Sequence, residues 1–375
     1  MDKKEIYDIW KNYKTISIFG LGHVCKNSIE QVKIFSDINY ILDNNSKLDG
    51  EFYKGIGVKK FLPTEECLRE KILISTHYKE IKKELLELGL LENVDFCSIE
   101  KYIIIMKWYS LSKVYVNEVH MSVTTKCTLN CHKCNMFMPE YQKPFHLNLE
   151  TLISDLDTLF NKVDEVSTLA LLGGEPLLYP HLMELITYLD NRYNDRIGII
   201  ELVTNGTIIP TDDMLKGFKK CKIFFRISDY SKTVPYQDRL EKLRNTLEQY
   251  HIPYYVNSSL NWLDFGFPEQ PVCIPDQEIY QHMLDCAPVF KGLNDKKLYY
   301  CHIVWSADKC GIYKERETDY IDLQEDSRAK IVEYLLGIMK EPVSLCKYCA
   351  GCSSDNENVI PVGIQRKRQK DYLVD

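Results

Sequence analysis

Between residues 116 and 257, short apolar runs alternate with amphipathic stretches, and this restricts the fold more tightly than any other feature of the chain. Strands are predicted at 119–123, 168–172, 197–204, 223–228 and 254–257. Between them Leu149, Leu152, Ile153, Leu156, Leu159 and Phe160 recur at helical spacing, as do Leu182, Leu185, Ile186 and Leu189, and then Leu240, Leu243 and Leu247. Each set makes a one-sided stripe that must pack on a sheet. Strands that alternate with helices pair in parallel. Five such repeats suggest a barrel or partial barrel, whose chemistry sits at the C-terminal strand ends.

The residues before this stretch predict a smaller α/β unit with a doubly wound parallel sheet. Strands are expected at 15–20, 39–43 and 71–76, the second closed by the turn residues Asn44, Asn45 and Ser46. Helices are expected over about 24–35 and 78–88, and residues 103–112 read as the crossing into the second unit. Beyond Pro268 the alternation stops, cysteine becomes dense, and helical periodicity survives mainly over 329–339. A small region with so little apolar periodicity usually needs a staple. The expected domains are 1–110, 111–268 and 269–375, in line with about 150 residues per domain in a chain of 375.

Forty-seven basic residues face 54 acidic ones, a net charge of −7 without a basic block, so no nucleic-acid partner is expected. The run Arg366-Lys367-Arg368-Gln369-Lys370 reads as a solvated tail. Apolar stretches such as 103–106 and 197–203 fall far short of the ~20 residues of a membrane helix. Met1-Asp2-Lys3-Lys4-Glu5-Ile6 has no apolar signal core. The expectation is a cytoplasmic protein with no membrane partner. In that reducing compartment the 14 cysteines are free for metal or catalysis.

Three of them stand close together after the first strand of the second unit, as Cys127-Thr128-Leu129-Asn130-Cys131-His132-Lys133-Cys134. Three thiols in eight residues can converge on one centre. One reading is a zinc loop completed by His120 or His132, since structural zinc takes four ligands. The other is an iron–sulfur cluster with one iron left open.

Cys-x3-Cys-x2-Cys resembles the cluster motif of the radical S-adenosylmethionine (SAM) enzymes, and three further segments match that family in order. Gly173-Gly174-Glu175-Pro176 ends the second strand of the unit, Thr204-Asn205-Gly206 the third, and Arg226-Ile227-Ser228-Asp229-Tyr230 the fourth. The resemblance covers residues 115–260. It implies a [4Fe–4S] cluster on Cys127, Cys131 and Cys134 whose open iron is chelated by SAM, cleavage of SAM to a 5′-deoxyadenosyl radical, and a flavodoxin- or ferredoxin-type reductant. Gly173, Gly174, Glu175 and Pro176 would meet the methionyl ammonium, Thr204 and Asn205 the ribose, and Ser228 or Arg226 the methionyl carboxylate. The family usually carries an aromatic residue before the third cysteine; here Lys133 occupies that place, and its stem or Phe137 would pack on adenine instead.

Cys286, Cys301, Cys346 and Cys349 form a second pattern, two cysteines bracketing a hairpin and then a distant Cys-x2-Cys. Four thiolates suit zinc or a cluster equally. The segment is similar to the twitch or SPASM extensions of radical SAM enzymes, which implies an auxiliary [4Fe–4S] cluster; Cys352 and Cys310 are left over, Cys352 as an alternative ligand. Cys25, Cys67, Cys97, Cys221 and Cys273 read as scattered, buried small residues. Gly20-Leu21-Gly22, with Asp43 closing the second strand, partly imitates a dinucleotide fingerprint, Cys25 replacing its third glycine. The segment from Ile16 to Leu90 looks like small Rossmann-like domains of surface-polysaccharide and nucleotide-sugar enzymes.

The fold class implied is α/β: an N-terminal Rossmann-like domain, a partial (β/α)6 TIM-type barrel, and a small cysteine-rich twitch/SPASM-like region. The function implied is hydrogen abstraction from a carbohydrate or nucleotide-linked sugar, leading to dehydrogenation or epimerisation, with an auxiliary cluster for electron transfer. Asp229 and Tyr230 are the candidate proton donors or acceptors, although Asp229 also reads as a turn cap. Trp262 and Asp264 are candidate pocket residues. Two other readings stay open: a radical SAM enzyme that modifies a ribosomally made peptide, and a non-catalytic metal-stapled scaffold.

Overall fold

A computed structural model of the chain describes residues 2–63, 69–76, 78–286, 290–353 and 355–366. Cys67 and the basic residues Lys367, Arg368 and Lys370 lie outside them. The chain forms two compact units, the first made of residues 1–117 with 335–338 and the second of 118–334 with 339–375.

The first unit holds the strands β1 (Thr15–Phe19), β2 (Asp37–Asp43), β3 (Phe52–Tyr53), β4 (Ile56–Lys60), β5 (Ile72–Ile74) and β6 (Phe96–Ser98). Their order in the sheet is β3-β4-β2-β1-β5-β6, parallel apart from the β3–β4 hairpin. The expected doubly wound topology is present, with β1 at the centre. Helices cover His23–Lys33 and Tyr78–Glu87, close to the predicted ranges. Cys25 and Cys97 are buried as expected, and Leu21 N–H donates to the Asp43 carboxylate at 2.9 Å. Residues 103–112 are not a crossing segment: 103–111 belong to the helix Ile99–Leu111, which Ser112 caps, and the helix buries seven residues spread around its circumference. An all-round apolar helix has no amphipathic period to betray it.

The second unit is built on β7 (Tyr115–Thr124), β8 (Glu165–Gly173), β9 (Ile197–Thr204), β10 (Phe224–Ser228) and β11 (Tyr254–Asn257). These five strands pair in sequence order, connected by helices at Leu149–Lys162, Leu182–Tyr193, Asp212–Lys220 and Gln237–Gln249. After β12 (Asn261–Leu263), β13 (Phe290–Asn294) joins the sheet as a sixth parallel strand. It lies beside β7, not β11, and is extended by the antiparallel strands β14 (Lys297–Tyr299) and β15 (Tyr320–Asp322). The result is an open, partial barrel sheet. β16 (Val359–Pro361) pairs antiparallel with β12.

The helix Leu149–Lys162 turns Leu152, Leu156, Leu159 and Phe160 to the core, as its stripe predicts. The same face carries Asp155, 1% exposed, whose carboxylate accepts the N–H groups of Asp295 at 3.0 Å and Lys296 at 2.7 Å. Those two residues have φ of 55° and 58° and form the tight turn between β13 and β14. Two left-handed residues in succession match the twist of a hairpin. The cysteine-rich end is ordered similarly by a buried acid. The Asp319 carboxylate accepts from Leu345 N at 3.2 Å, Arg316 N at 2.8 Å and the Tyr313 hydroxyl at 2.8 Å. Short helices at Asp276–Cys286 and Ile303–Lys309 were not legible as periodic stretches, and the predicted 329–339 helix ends at Leu335.

Burial raises the Asp155 carboxyl to about 6, outweighing the two backbone donors. An acid whose folded pKa lies above its unfolded value of 3.8 makes stability fall as pH rises from about 4 to about 6. The loss is on the order of 3 kcal/mol, from about 1.4 kcal/mol per unit. Asp155→Asn is expected to flatten that part of the stability–pH profile relative to the wild-type chain, read from urea midpoints between pH 4 and 7.

Candidate functional site

The three motif cysteines follow β7 on a loop whose geometry depends on two glycines at the end of β8. A Cβ on Gly173 would lie 2.1 Å from Thr124 O, and one on Gly174 2.2 Å from Lys126 O. Gly173 also has φ of +138°, a conformation glycine adopts freely. Freed of side chains, this strand end lies against the loop and bonds to it: Gly174 N–H donates to Thr124 O and Glu175 N–H to Lys126 O, both at 2.8 Å.

Glu175 is fully buried and ties three segments together. Its carboxylate accepts from Leu177 N at 3.1 Å, the Thr204 hydroxyl at 2.8 Å and Asn205 N at 2.9 Å. Burial pushes its carboxyl up to about 7, against the pull of those donors. Pro176 opens the short 3-10 turn Pro176–Leu178 that Glu175 caps. Asn205 continues the chain of contacts toward the cysteines, its amide reaching Cys127 Sγ at 3.5 Å and the Thr128 hydroxyl at 3.0 Å.

The three thiols are ringed by N–H donors. Leu129 N–H lies 3.5 Å from Cys127 Sγ, and the Gln365 amide donates to Cys131 Sγ at 3.2 Å. The backbone N–H groups of Met136, Phe137 and Met138 face Cys134. Burial nevertheless holds all three thiols above their ordinary range, Cys127 at about 12 and Cys131 at about 11. Cys127 and Cys134 pack on an apolar patch of Met136, Met138, Tyr141, Ala170 and Leu172, which Cys310 also joins.

Lys133 ends in ion pairs with Glu269 at 2.6 Å and Asp264 at 3.4 Å, so its charge is directed at acids beside the loop. Phe137 stands edge-on to Phe267, ring centroids 5.8 Å apart. Both Lys133 and Phe137 line a cleft with Cys134, Phe265 and Arg366. Asp229 is stabilised as the anion: burial opposes its charge, but Ser231 N–H at 2.8 Å and the Ser258 hydroxyl at 3.2 Å hold its pKa below the usual value. Burial instead raises the Tyr230 phenol, which contacts the Ser228 side chain and meets the Trp262 ring edge-on at 5.3 Å.

Arg226 is engaged on both sides, with Glu118 and Glu201 each at 2.9 Å. Glu118 remains ionised despite burial because His120 and Arg226 both face it. His120 in turn stacks on the Phe290 ring and meets the His302 ring edge-on, and those two rings also touch each other. Glu118, Glu201 and His302 carry no motif in the sequence, and His120, one of the two candidate zinc ligands there, is instead engaged by Glu118 at 2.5 Å.

The second cysteine set gathers in one nest. Cys286 Sγ lies 3.4 Å from both Cys352 Sγ and Cys352 N, and these donors lower its thiol to about 7. Cys301 and Cys349 are pushed up to about 12 by burial and by the charge of neighbouring thiols, and Cys346 is raised for the same reasons. Gly351, at φ +75°, turns the chain so that Cys352 returns to Cys286, and a Cβ there would meet the His282 ring at 3.1 Å. Cys352 was the residue left over by spacing, although Cys346-x2-Cys349-x2-Cys352 is visible as a continued period. Cys221 is buried as expected, whereas Cys273 is exposed, on an irregular stretch before the helix Asp276–Cys286.

The sequence pattern of the Radical SAM superfamily matches residues 121–250, which run from β7 to the end of the helix after β10. The chain carries a radical SAM domain. No curated protein sequence matches it. Among solved structures it is similar to Streptococcus suis SuiB bound to S-adenosylmethionine, at 16% identity and TM-score 0.31 over 49% of this chain and 45% of that one. That alignment spans less than half of the SuiB chain. It is also similar to anSMEcpe with bound AdoMet, at 14% identity and TM-score 0.39 over 60% and 84% of the two chains. A third likeness is to BtrN in complex with AdoMet and 2-DOIA, at 15% identity and TM-score 0.37 over 69% and 99%. In this radical SAM domain all four expected segments lie at the ends of β7, β8, β9 and β10. No helix among the described residues is long and apolar enough to cross a membrane.

Gly174→Ala is expected to destabilise the second unit by about 1–3 kcal/mol or more, since the added methyl meets a backbone oxygen that cannot swing aside. Chemical denaturation followed by tryptophan fluorescence measures it; a wild-type midpoint would contradict the close approach.

Proposed function

We propose that Cys127, Cys131 and Cys134 hold a [4Fe–4S] cluster with one open iron, and that the chain uses it with SAM to abstract hydrogen from a carbohydrate or nucleotide-linked sugar. The observation that carries the reading is the loop itself. Three soft donors share one loop, without a disulfide, under a ring of N–H groups suited to sulfur that becomes anionic on binding metal. A cubane places its cysteines on separate irons, so the donor set fits.

Cys127, Cys131 and Cys134 would hold the cluster, which when bound would supply the electron for reductive cleavage of SAM. The chain's own residues position what reacts. Gly173 and Gly174, half-buried beside the loop, would offer backbone to the methionyl group. Pro176 and Glu175 fix the turn, and Thr204 and Asn205, bonded to Glu175, set the adjoining polar wall. Ser228 is the carboxylate partner of choice, because Arg226 is already committed to Glu118 and Glu201. Asp229, held ionised, takes the role of proton acceptor, and Tyr230, whose phenol resists ionisation, that of hydrogen-bond donor.

Cys286, Cys301, Cys346 and Cys349 are assigned to an auxiliary [4Fe–4S] cluster, with Cys352 at the same nest. Four protein thiolates leave no iron open, which suits electron transfer. If the carbon that loses hydrogen bears a hydroxyl, loss of a proton to an acceptor such as Asp229 and of one electron to the auxiliary cluster would yield a ketone. Return of a hydrogen atom from a thiol to its other face would instead yield an epimer. The sugar class is supported by the first unit, whose β1–Gly20-Leu21-Gly22–helix order and Asp43 follow nucleotide-binding domains.

Anaerobic reconstitution with SAM and a reductant tests the proposal. Wild-type protein should release 5′-deoxyadenosine, and Cys127→Ala, Cys131→Ala and Cys134→Ala should each abolish the release. Cys286→Ala should retain some SAM cleavage and stop substrate turnover. No release from the fully loaded wild-type chain would overturn the radical chemistry; full turnover by the Cys286 variant would remove the auxiliary cluster.

A further inference from the structure

Far along the sequence, the segment that follows β16 returns to the cysteine loop. Val362 O accepts from the Thr233 hydroxyl at 2.7 Å, and Gly363, at φ +70°, lies so close to Tyr230 that a Cβ would sit 2.8 Å from that residue's Cβ. From there the segment pairs with the loop as an antiparallel bridge between Cys131 and Gln365. His132 N–H donates to Ile364 O at 2.6 Å, and Arg366 N–H to Asn130 O at 2.8 Å. The Asn130 side-chain amide adds a bond to Arg366 O at 3.2 Å. The Arg366 guanidinium pins the end of the segment to Glu140 at 2.6 Å and Glu269 at 2.7 Å. Arg366 is therefore not part of a solvated tail, as its basic neighbours in sequence suggested.

Within this pairing the orientation of Gln365 is settled by chemistry. Asn130 N–H lies 2.7 Å from Gln365 Oε1, and a backbone N–H can only donate. The oxygen is thereby fixed, and Gln365 Nε2 must face Cys131 Sγ at 3.2 Å and Gly363 O at 2.7 Å. Both amide hydrogens are used, one on sulfur and one on the segment's own backbone.

We propose that residues 362–366 are a strap that holds the cysteine loop in register, and that Gln365 is a positioning residue whose amide N–H, donated to the Cys131 sulfur, raises the reduction potential of the centre assembled there. The inference rests on the assignment of a cluster to Cys127, Cys131 and Cys134. Donors to ligand sulfur stabilise the more negative, reduced state of an iron–sulfur centre, so removing one shifts its potential down.

Two substitutions in the full chain, loaded anaerobically, separate the strap from the sulfur contact. Gln365→Glu keeps an acceptor for Asn130 N–H but loses the donor. Gln365→Met loses both. Potentiometric titration followed by electron paramagnetic resonance, on the signal that changes when SAM is added, should give a lower midpoint in both variants, lowest in Gln365→Glu because it adds a negative charge. Iron and sulfide per chain should stay at the wild-type level in Gln365→Glu and fall in Gln365→Met. Wild-type midpoint and signal in both variants, at wild-type iron content, would overturn the proposal. Should Gln365→Met fail to fold, Gln365→Ala, which removes the donor without adding charge, decides by its midpoint: a lowered value supports the proposal and a wild-type value overturns it. A wild-type chain that assembles no cluster on the three cysteines would instead overturn the assignment beneath it.

Discussion

The site is organised by a close approach of backbone to backbone, where Gly173 and Gly174 lie on Thr124 and Lys126. This contact locks the end of β8 to the root of the cysteine loop and delivers the next residue, Glu175, into a fully buried position. A buried carboxylate must be satisfied, and here it draws in Leu177, Thr204 and Asn205. Asn205 then reaches Cys127. One steric fact thus propagates through hydrogen bonds to the ends of three strands, so the glycines and the acid function as a unit.

Below this layer the barrel sheet carries a second polar one. Arg226 bridges Glu118 and Glu201, and His120 adds to the Glu118 side. Buried ions recover their desolvation cost only when closely paired, and loss of one partner strands the others. The arrangement gives the interior a charged floor with its guanidinium already spoken for. The proposed role of meeting a ligand's carboxylate therefore falls to Ser228, two residues further along β10, and not to Arg226.

Much of this architecture was legible where the periodic signal was strong. The bounds predicted for β9 and β11 match those of the structure, because each run is bordered by turn residues, and the Leu149–Lys162 helix followed its stripe. The signal failed in two opposite ways. Ile99–Leu111 is apolar on all sides, and Asp212–Lys220 is so charged that only Leu215 and Phe218 are buried. The motif loop and the strand-end segments were readable because each is local in sequence. Cys352 was readable only as a spacing, and its place beside Cys286 depends on the turn at Gly351. Gln365 could not be read at all: its partner Cys131 is 234 positions away, and nothing in a lone glutamine announces a sulfur contact.

That separation has a consequence for biogenesis. The ribosome releases Cys127, Cys131 and Cys134 before Gln365 and Arg366, so the loop is made without the antiparallel bridge and the sulfur contact that later latch it. A nascent chain therefore holds its thiol-bearing loop without that latch, and a metal centre taken up before the distal segment arrives would meet a more open loop.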